Sequence, residues 1–233
     1  MKCLHCGSTA VTKNGHRRSK QNYRCQSCGR QFIESYSTQG YSNEVKHHCL
    51  TLYVNGMGFR AIERSTGVSH NTVINWVRQS GIELADAPQG QTIPELAQVD
   101  ELQTFVGSKK TKFWLWTAVN GHEAGILAWV LGDRSAATFW KLWLVLRCWG
   151  CFLYITDGYP VYRCFIDDLD HLVSKVAMTR VEGENSRLRH YLARLHRKTF
   201  CYSKSKEMLR YSIRLLLHYL KLGTVPIPSS PSR

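Results

Sequence analysis

Phe152-Leu153-Tyr154-Ile155-Thr156-Asp157-Gly158-Tyr159-Pro160 reads as a short apolar strand that stops on a carboxylate and a turn. A run with no polar alternation suits a strand covered on both faces. Open α/β sheets place their ligands at the carboxyl ends of such strands. Working back from it, residues 125–131, 113–119 and 99–106 are aromatic or β-branched stretches of strand length, with the basic turn Lys109-Lys110-Thr111-Lys112 between the two earliest. Three strands with short connections predict an antiparallel meander. Between the meander and the quoted strand, Ser135 is placed to cap a helix carrying Phe139, Trp140, Leu142, Trp143, Leu144 and Leu146. The expected class is α/β.

Ahead of this region stand two cysteine pairs, Cys3-x2-Cys6 and Cys25-x2-Cys28. Each pair can offer two thiolates to one tetrahedral zinc ion. Residues 1–35 therefore read as a zinc ribbon, with turns at Gly7, Gly15 and Gly29 and short strands at Tyr23-Arg24 and Phe32. So small a module has almost no apolar core, and the structural zinc would contribute most of its folding free energy.

Residues 42–80 read as an all-α helix-turn-helix, with helices over 43–54 and 58–66, a turn at Gly67-Val68-Ser69, and a third helix to Gln79 capped by Ser69. Ser69, His70, Asn71, Asn75 and Arg78 form its polar outward set, suited to DNA; the plainer reading is a helical hairpin. Glu63 sits where two helices approach and a small residue is common. A linker is expected over 81–95, a larger domain over 96–223, and a disordered tail over 224–233, where Pro and Ser dominate.

The 233 residues hold 31 Lys and Arg against 17 Asp and Glu, a formal charge of +14, which points to a polyanionic partner, by default nucleic acid. Residues 180–233 carry twelve of the cations and three of the anions. Five cysteines outside the pairs (Cys49, Cys148, Cys151, Cys164, Cys201) lie among apolar residues and are expected as buried reduced thiols. Met1-Lys2-Cys3 leads directly into the metal motif with no secretory signal, and no apolar run is long enough to span a membrane. A reducing cytoplasm is the expected compartment.

With carboxylates scarce, those in apolar surroundings are informative. Asp100 shares a strand face with Leu102 and Thr104, while Glu101 points to the opposite face, where a solvated position is expected. Asp157 ends its strand. Each is open to a bland reading, a strand-edge residue for Asp100 and a turn residue for Asp157. A helix from about Val181 sets Glu182, Asn185, Arg189 and His196 on one stripe, beside the apolar stripe Leu188, Tyr191, Leu192 and Leu195. Arg187, Arg194, Arg197 and Lys198 form its basic outer face, a phosphate-binding surface or a solvated one.

In order, Val99-Asp100-Glu101-Leu102-Gln103-Thr104-Phe105-Val106-Gly107, Leu131-Gly132-Asp133-Arg134-Ser135, Thr156-Asp157-Gly158-Tyr159, Val181-Glu182-Gly183-Glu184-Asn185 with Leu188-Arg189, and Leu195-His196-Arg197-Lys198-Thr199 resemble the DDE transposases of the IS-one insertion-sequence family. The zinc ribbon and helix-turn-helix resemble that family's front end. The resemblance implies a ribonuclease H-like mixed sheet flanked by helices, with Asp100, Asp157 and Glu182 as a triad. Asn185 and Arg189 match supporting positions of the helix, and Glu184 is a rival for the third carboxylate.

The same resemblance implies two Mg²⁺ (or Mn²⁺) ions held by the triad, and a DNA transposase that binds terminal inverted repeats. Such an enzyme hydrolyses a phosphodiester at the element end and then joins the freed 3′-hydroxyl to target DNA. It implies double-stranded DNA as partner, a homo-oligomer on that DNA, and a bacterial or archaeal nucleoid setting. No phosphate-cradling GxxxxGK[ST] is present, so no ATP site is expected. The alternative is a repressor that binds DNA through the zinc ribbon and helix-turn-helix without catalysis.

Overall fold

Alternating and continuous apolar runs need a sheet with cover on both faces, and the computed structural model has one. It describes residues 1–17, 19–34, 40–86 and 92–228. The chain falls into two compact units, Met1–Tyr41 and Ser42–Arg233.

In the first unit, β1 (Val11–Arg17), β2 (Lys20–Cys25) and β3 (Gln31–Ile33) form an antiparallel sheet. Tyr23 faces Phe32 and Arg24 faces Gln31, the pairing expected of a ribbon. Its apolar centre is only Cys3, Cys25 and Phe32, with Val11, Tyr23 and Cys28 at the edge. The strand β1 was not anticipated, because VTKNGHR has no apolar alternation.

The second unit begins with three helices, α1 (Asn43–Val54), α2 (Phe59–Thr66) and α3 (His70–Glu83). Ser42 caps α1 through the Val45 amide, and Gly67 ends α2 at φ +72°, a conformation that suits glycine. Ser69 occupies the N-cap position of α3, but its side chain makes no capping bond, contrary to expectation.

The sheet follows: β4 (Leu96–Val106), β5 (Ser108–Asn120) and β6 (Ile126–Gly132), then α4 (Ala136–Trp149), β7 (Leu153–Thr156), β8 (His171–Val173), α5 (Thr179–Tyr191) and α6 (Lys206–Leu222). Strand order is β6-β5-β4-β7-β8. The meander β4-β5-β6 is antiparallel, and β7 and β8 are added in parallel, so the sheet is mixed. The expected cap on α4 is present: the Thr138 amide donates to Ser135 Oγ at 3.2 Å.

Strand β4 is central and buried on both faces. Ala97 and Val99 pack with Trp116, Phe139, Leu142 and Tyr162 under α4. Leu102 and Val106 face the other way, into a core shared with α5, α6 and the three leading helices. Helix α6, for which the sequence reading carried no element, joins that core through Leu209, Ile213, Leu216 and Leu217.

That shared core changes the expected boundary at residue 81. Helix α3 runs to Glu83 because Ser80 and Gly81 pack directly on α6; a Cβ on Gly81 would stand 2.4 Å from Tyr211 Cβ and 2.7 Å from its Cα. Past the helix, the Asp86 carboxylate accepts from Arg214 Nε at 2.7 Å and pairs with Arg210 at 2.9 Å, while its carbonyl accepts from the Trp129 indole. Residues 87–91 of the expected linker lie outside the described residues.

Residues 224–228 are not the disordered tail expected of them. Val225 is buried, Ser80 Oγ donates to the Pro226 carbonyl at 2.9 Å, and Lys46 Nζ reaches the Pro228 carbonyl. The remaining tail, 229–233, lies outside the described residues. The thiols also need correction: Cys49 and Cys151 are buried, but Cys148, Cys164 and Cys201 are exposed. No helix among the described residues is long and apolar enough to cross a membrane.

The close approach at Gly81 generates a test. Gly81→Ala should cost about 1–3 kcal/mol by overpacking against helix backbone, read as a lower urea midpoint. An unchanged midpoint would mean that α3 and α6 have room to separate.

Candidate functional site

Burying carboxylates is costly, so each one near the sheet must find a donor, a cation or a proton. On the α5 face of β4, the Asn185 amide donates to Asp100 Oδ2 at 2.8 Å, and the Thr117 hydroxyl donates to Asn185 Oδ1 at 3.0 Å. Burial pushes the Asp100 carboxyl above the usual range; hydrogen bonds from Glu101 N–H and Asn185 oppose this, and the charges of Asp157 and Glu182 add to the rise. Three acidic groups from β4, the end of β7 and the first turn of α5 therefore share one electrostatic neighbourhood.

Helix α5 is held over the sheet by side chains at its start. Gln98, buried two residues before Asp100, accepts from the Val181 amide at 3.0 Å and satisfies an orphan donor of the helix N-terminus. Glu184 is buried and accepts from the Gly125 amide at 3.0 Å, with Arg187 at 3.5 Å. It ties α5 to the β5–β6 turn. Glu182 is exposed on the same helix. The two carboxylates that sequence left as rivals thus differ in surroundings, one committed to a backbone amide and one unpartnered among the described residues.

At Asp157 the turn reading is observed. Oδ1 accepts from the Tyr159 amide at 2.9 Å, the turn role, and no hydrogen bond among the described residues engages Oδ2. Gly158 has φ +84°, and a Cβ there would meet Val173 at 2.6 Å, so only glycine fits this turn beside β8.

Glu101 corrects the expectation of a solvated residue. It does point to the opposite face, but its side chain is 2% exposed, pairs with Arg134, and accepts from the Tyr162 hydroxyl at 2.6 Å. Arg134 also lies 4.0 Å from the Tyr159 ring and 4.6 Å from that of Trp114. The sequence missed this group because it spans β4, the β6–α4 connection and the 159–162 turn. The only hint was a charged residue in a strand apolar on both sides.

The expected basic helix face is partly dissolved. Helix α5 ends at Tyr191, Leu192 is extended, and a 3-10 turn follows, so His196, Arg197 and Lys198 are not on its stripe. Arg194 is buried, donates to Ser203 Oγ at 2.8 Å, and stacks near Phe59 and Tyr53. It is not on an outer phosphate-binding face. Arg197 and Lys198 are exposed. Arg189, with His196 and Arg197, lines a hollow of about 280 Å³ against Gln103, Thr104 and Phe105 of β4. Its Nε is buried without a hydrogen-bond partner among the described residues. On α3, Asn71, Asn75 and Arg78 are exposed as expected, whereas His70 bonds Glu63 at 2.8 Å.

In the first unit the four cysteines converge. Cys3 and Cys28 sulfurs are 3.7 Å apart, Cys6 and Cys25 3.5 Å, and all four lie within 4.8 Å of one another. Four sulfurs at Zn–S distances near 2.3 Å stand about 3.8 Å apart, so the donor set fits tetrahedral zinc. The knuckles repeat: Gly7 and Gly29 have φ +71° and +72°, and their amides bond the Cys3 and Cys25 carbonyls at 2.9 Å. Among the described residues this is the one group of three or more ligand side chains close enough for a single ion. The three carboxylates do not gather that tightly.

Comparison with known proteins matches sequence within the second unit. The model of the IS1 transposase family matches residues 95–222. The insertion element IS1 protein InsB of Escherichia coli K12 is 33% identical over 133 residues, 57% of this chain and 78% of that protein. The InsB protein of Shigella sonnei is 34% identical over 126 residues, 54% of this chain and 94% of that protein. The family match spans β4 through α6, the stretch that holds Asp100, Asp157 and Glu182, and on it the chain belongs to the IS1 transposase family.

Proposed function

We propose that the chain is a DNA transposase that binds the terminal inverted repeats of an insertion sequence and catalyses metal-dependent strand cleavage and transfer on a ribonuclease H-like core. The observation that carries this reading is Asp100: it is half-buried, held by Asn185, and raised in pKa by that burial and further by the charges of Asp157 and Glu182. A half-buried carboxylate that feels two like charges is a cost unless cations offset it. Oxygen donors of this kind suit Mg²⁺ or Mn²⁺.

Asp100 would serve both ions, with Asp157 on one and Glu182 on the other. That arrangement needs Asp100 near each partner rather than all three acids on a single ion. When bound, the pair supplies positive charge to the attacking and leaving oxygens of an in-line displacement. The protein's own groups set the geometry. Asn185 fixes Asp100 Oδ2, the Tyr159 amide fixes Asp157 Oδ1, and Gln98 fixes the start of the helix that carries Glu182. The unpartnered Nε of Arg189 is suited to a phosphate oxygen of the substrate strand.

Asn71, Asn75 and Arg78 on α3 would read the element ends in the major groove. The zinc ribbon would extend that contact. Joining two ends calls for at least two protomers on the DNA, in the cytoplasm where the nucleoid lies. The repressor alternative shares the binding surfaces and lacks the chemistry.

Asp157→Asn removes charge with little change of shape; retained end binding with strand transfer reduced at least about a hundredfold is expected. Full activity would remove Asp157 from the chemistry, and a wild-type protein that binds ends but never joins strands would select the repressor. Asp100→Asn should leave thermal stability in metal-free buffer equal or higher, because it relieves burial and like-charge repulsion. It should also abolish the rise in melting temperature that Mg²⁺ or Mn²⁺ gives the wild type. A large loss of metal-free stability would show that Asp100 is held for structure. Cys25→Ser should lower bound zinc by elemental analysis and weaken end binding; full zinc retention would count against the four-cysteine site.

A further inference from the structure

Between α2, α3 and residues 193–208 lies a groove of about 650 Å³ that the carboxylate chemistry does not use. Its walls combine two kinds of side chain. Phe59, Phe200 and Tyr202 are aromatic, and Arg60, Arg64, Arg78 and Lys204 are cations. All four cations are exposed, and among the described residues none of them lies within ion-pair distance of a carboxylate.

Phe200 is 88% exposed, an unusual position for a large apolar ring. Lys109 Nζ stands 4.7 Å over it, and Lys204 Nζ 4.4 Å over Tyr202. The Gly107 amide bonds the Ser203 carbonyl at 2.8 Å, which fastens this aromatic segment between β4 and β5, beside Lys109, Lys110 and Lys112, which lie at the start of β5 and not in the turn expected of them.

The groove's inner end holds Arg194. It is 8% exposed and without a carboxylate partner among the described residues, its guanidinium 5.0 Å from the Phe59 ring. A buried cation ordinarily has a counter-charge, and here the open side of the site is the groove.

We propose that this groove binds single-stranded DNA, with bases stacked on Phe200 and Tyr202 and phosphates on Lys204, Arg60, Arg64 and the buried Arg194. Alternating rings and cations along a channel are the features by which proteins hold unpaired strands without reading sequence. The volume is that of a small-ligand site, the scale of roughly one or two nucleotides rather than a broad duplex footprint. The segment that floors the groove also supplies His196 and Arg197 to the hollow beside Arg189. That hollow reaches Arg189, one helical turn after Asn185, the residue that holds Asp100. The inference rests on the transposase reading and gives it a substrate form: the strand next to the scissile phosphate is held unpaired.

The test is equilibrium binding of the full-length, zinc-loaded chain to fluorescent oligothymidylate of ~10 nucleotides, a length within the range of single-strand grooves, and to a duplex of equal length. The wild type should prefer the single strand. Phe200→Ala with Tyr202→Ala should weaken that binding about tenfold or more while leaving duplex binding unchanged. Lys204→Ala should lower its salt dependence. Phe200 is too exposed for its loss to disturb the core, and an unchanged melting temperature checks the pair. Single-strand affinity equal to wild type in the double variant would overturn the proposal. Equal weakening for both probes would also overturn it and mark the groove as a duplex surface. Asp157→Asn should bind oligothymidylate normally, so failure of the groove and failure of the carboxylate chemistry are separable.

Discussion

Two neighbouring carboxylates on the central strand constrain the second unit. Asp100 and Glu101 face opposite sides of β4, and both sides are covered. A strand with acids in such a place folds only if each acid meets a donor or a cation as the cover comes down. On one face that condition brings Asn185 and Thr117, and so fixes α5. On the other it brings Arg134 and Tyr162, and so fixes α4 and the turn after Asp157. The two networks meet at Asp157, whose charge is felt by both Asp100 and Glu101. Geometry at the acids is thus a consequence of how the sheet is closed on each side.

Around this centre, the three leading helices are not a separate bead. They share an apolar core with the α5 face of the sheet, and α6 is the element that joins them, in contact with α3 at Gly81 and Ser80. Residues 224–228 close over the same helices. A DNA-reading surface on α3 and the acidic site would then move together, because helix packing at backbone distance leaves little freedom. That coupling suits an enzyme that must hold an element end in register with its chemistry.

The first unit follows a different logic. With so few buried apolar residues, it depends on four sulfurs and two glycine turns for its shape. With zinc on those sulfurs its stability would follow metal and redox conditions, while that of the second unit follows packing.

The sequence by itself determined the features whose causes are local. Cysteine spacing gave the knuckles, glycines the turns, Ser135 the α4 cap, and the apolar runs the meander and the strand ending at Asp157. Asp100, Asp157 and Glu182 stood out singly as scarce carboxylates on strands and a helix, and their grouping as a triad came from the family resemblance. Tertiary structure alone decided what each charge meets. Glu101 lost its solvent to a tyrosine and an arginine from distant elements, Glu184 became a tie to the β5–β6 turn, and Arg194 was withdrawn from the basic face when α5 ended at Tyr191. The run of α3 past residue 80 and the docking of 224–228 were settled by α6. Periodicity describes a segment's own faces; burial and partnership belong to pairs of segments far apart in the chain, and no local pattern records them.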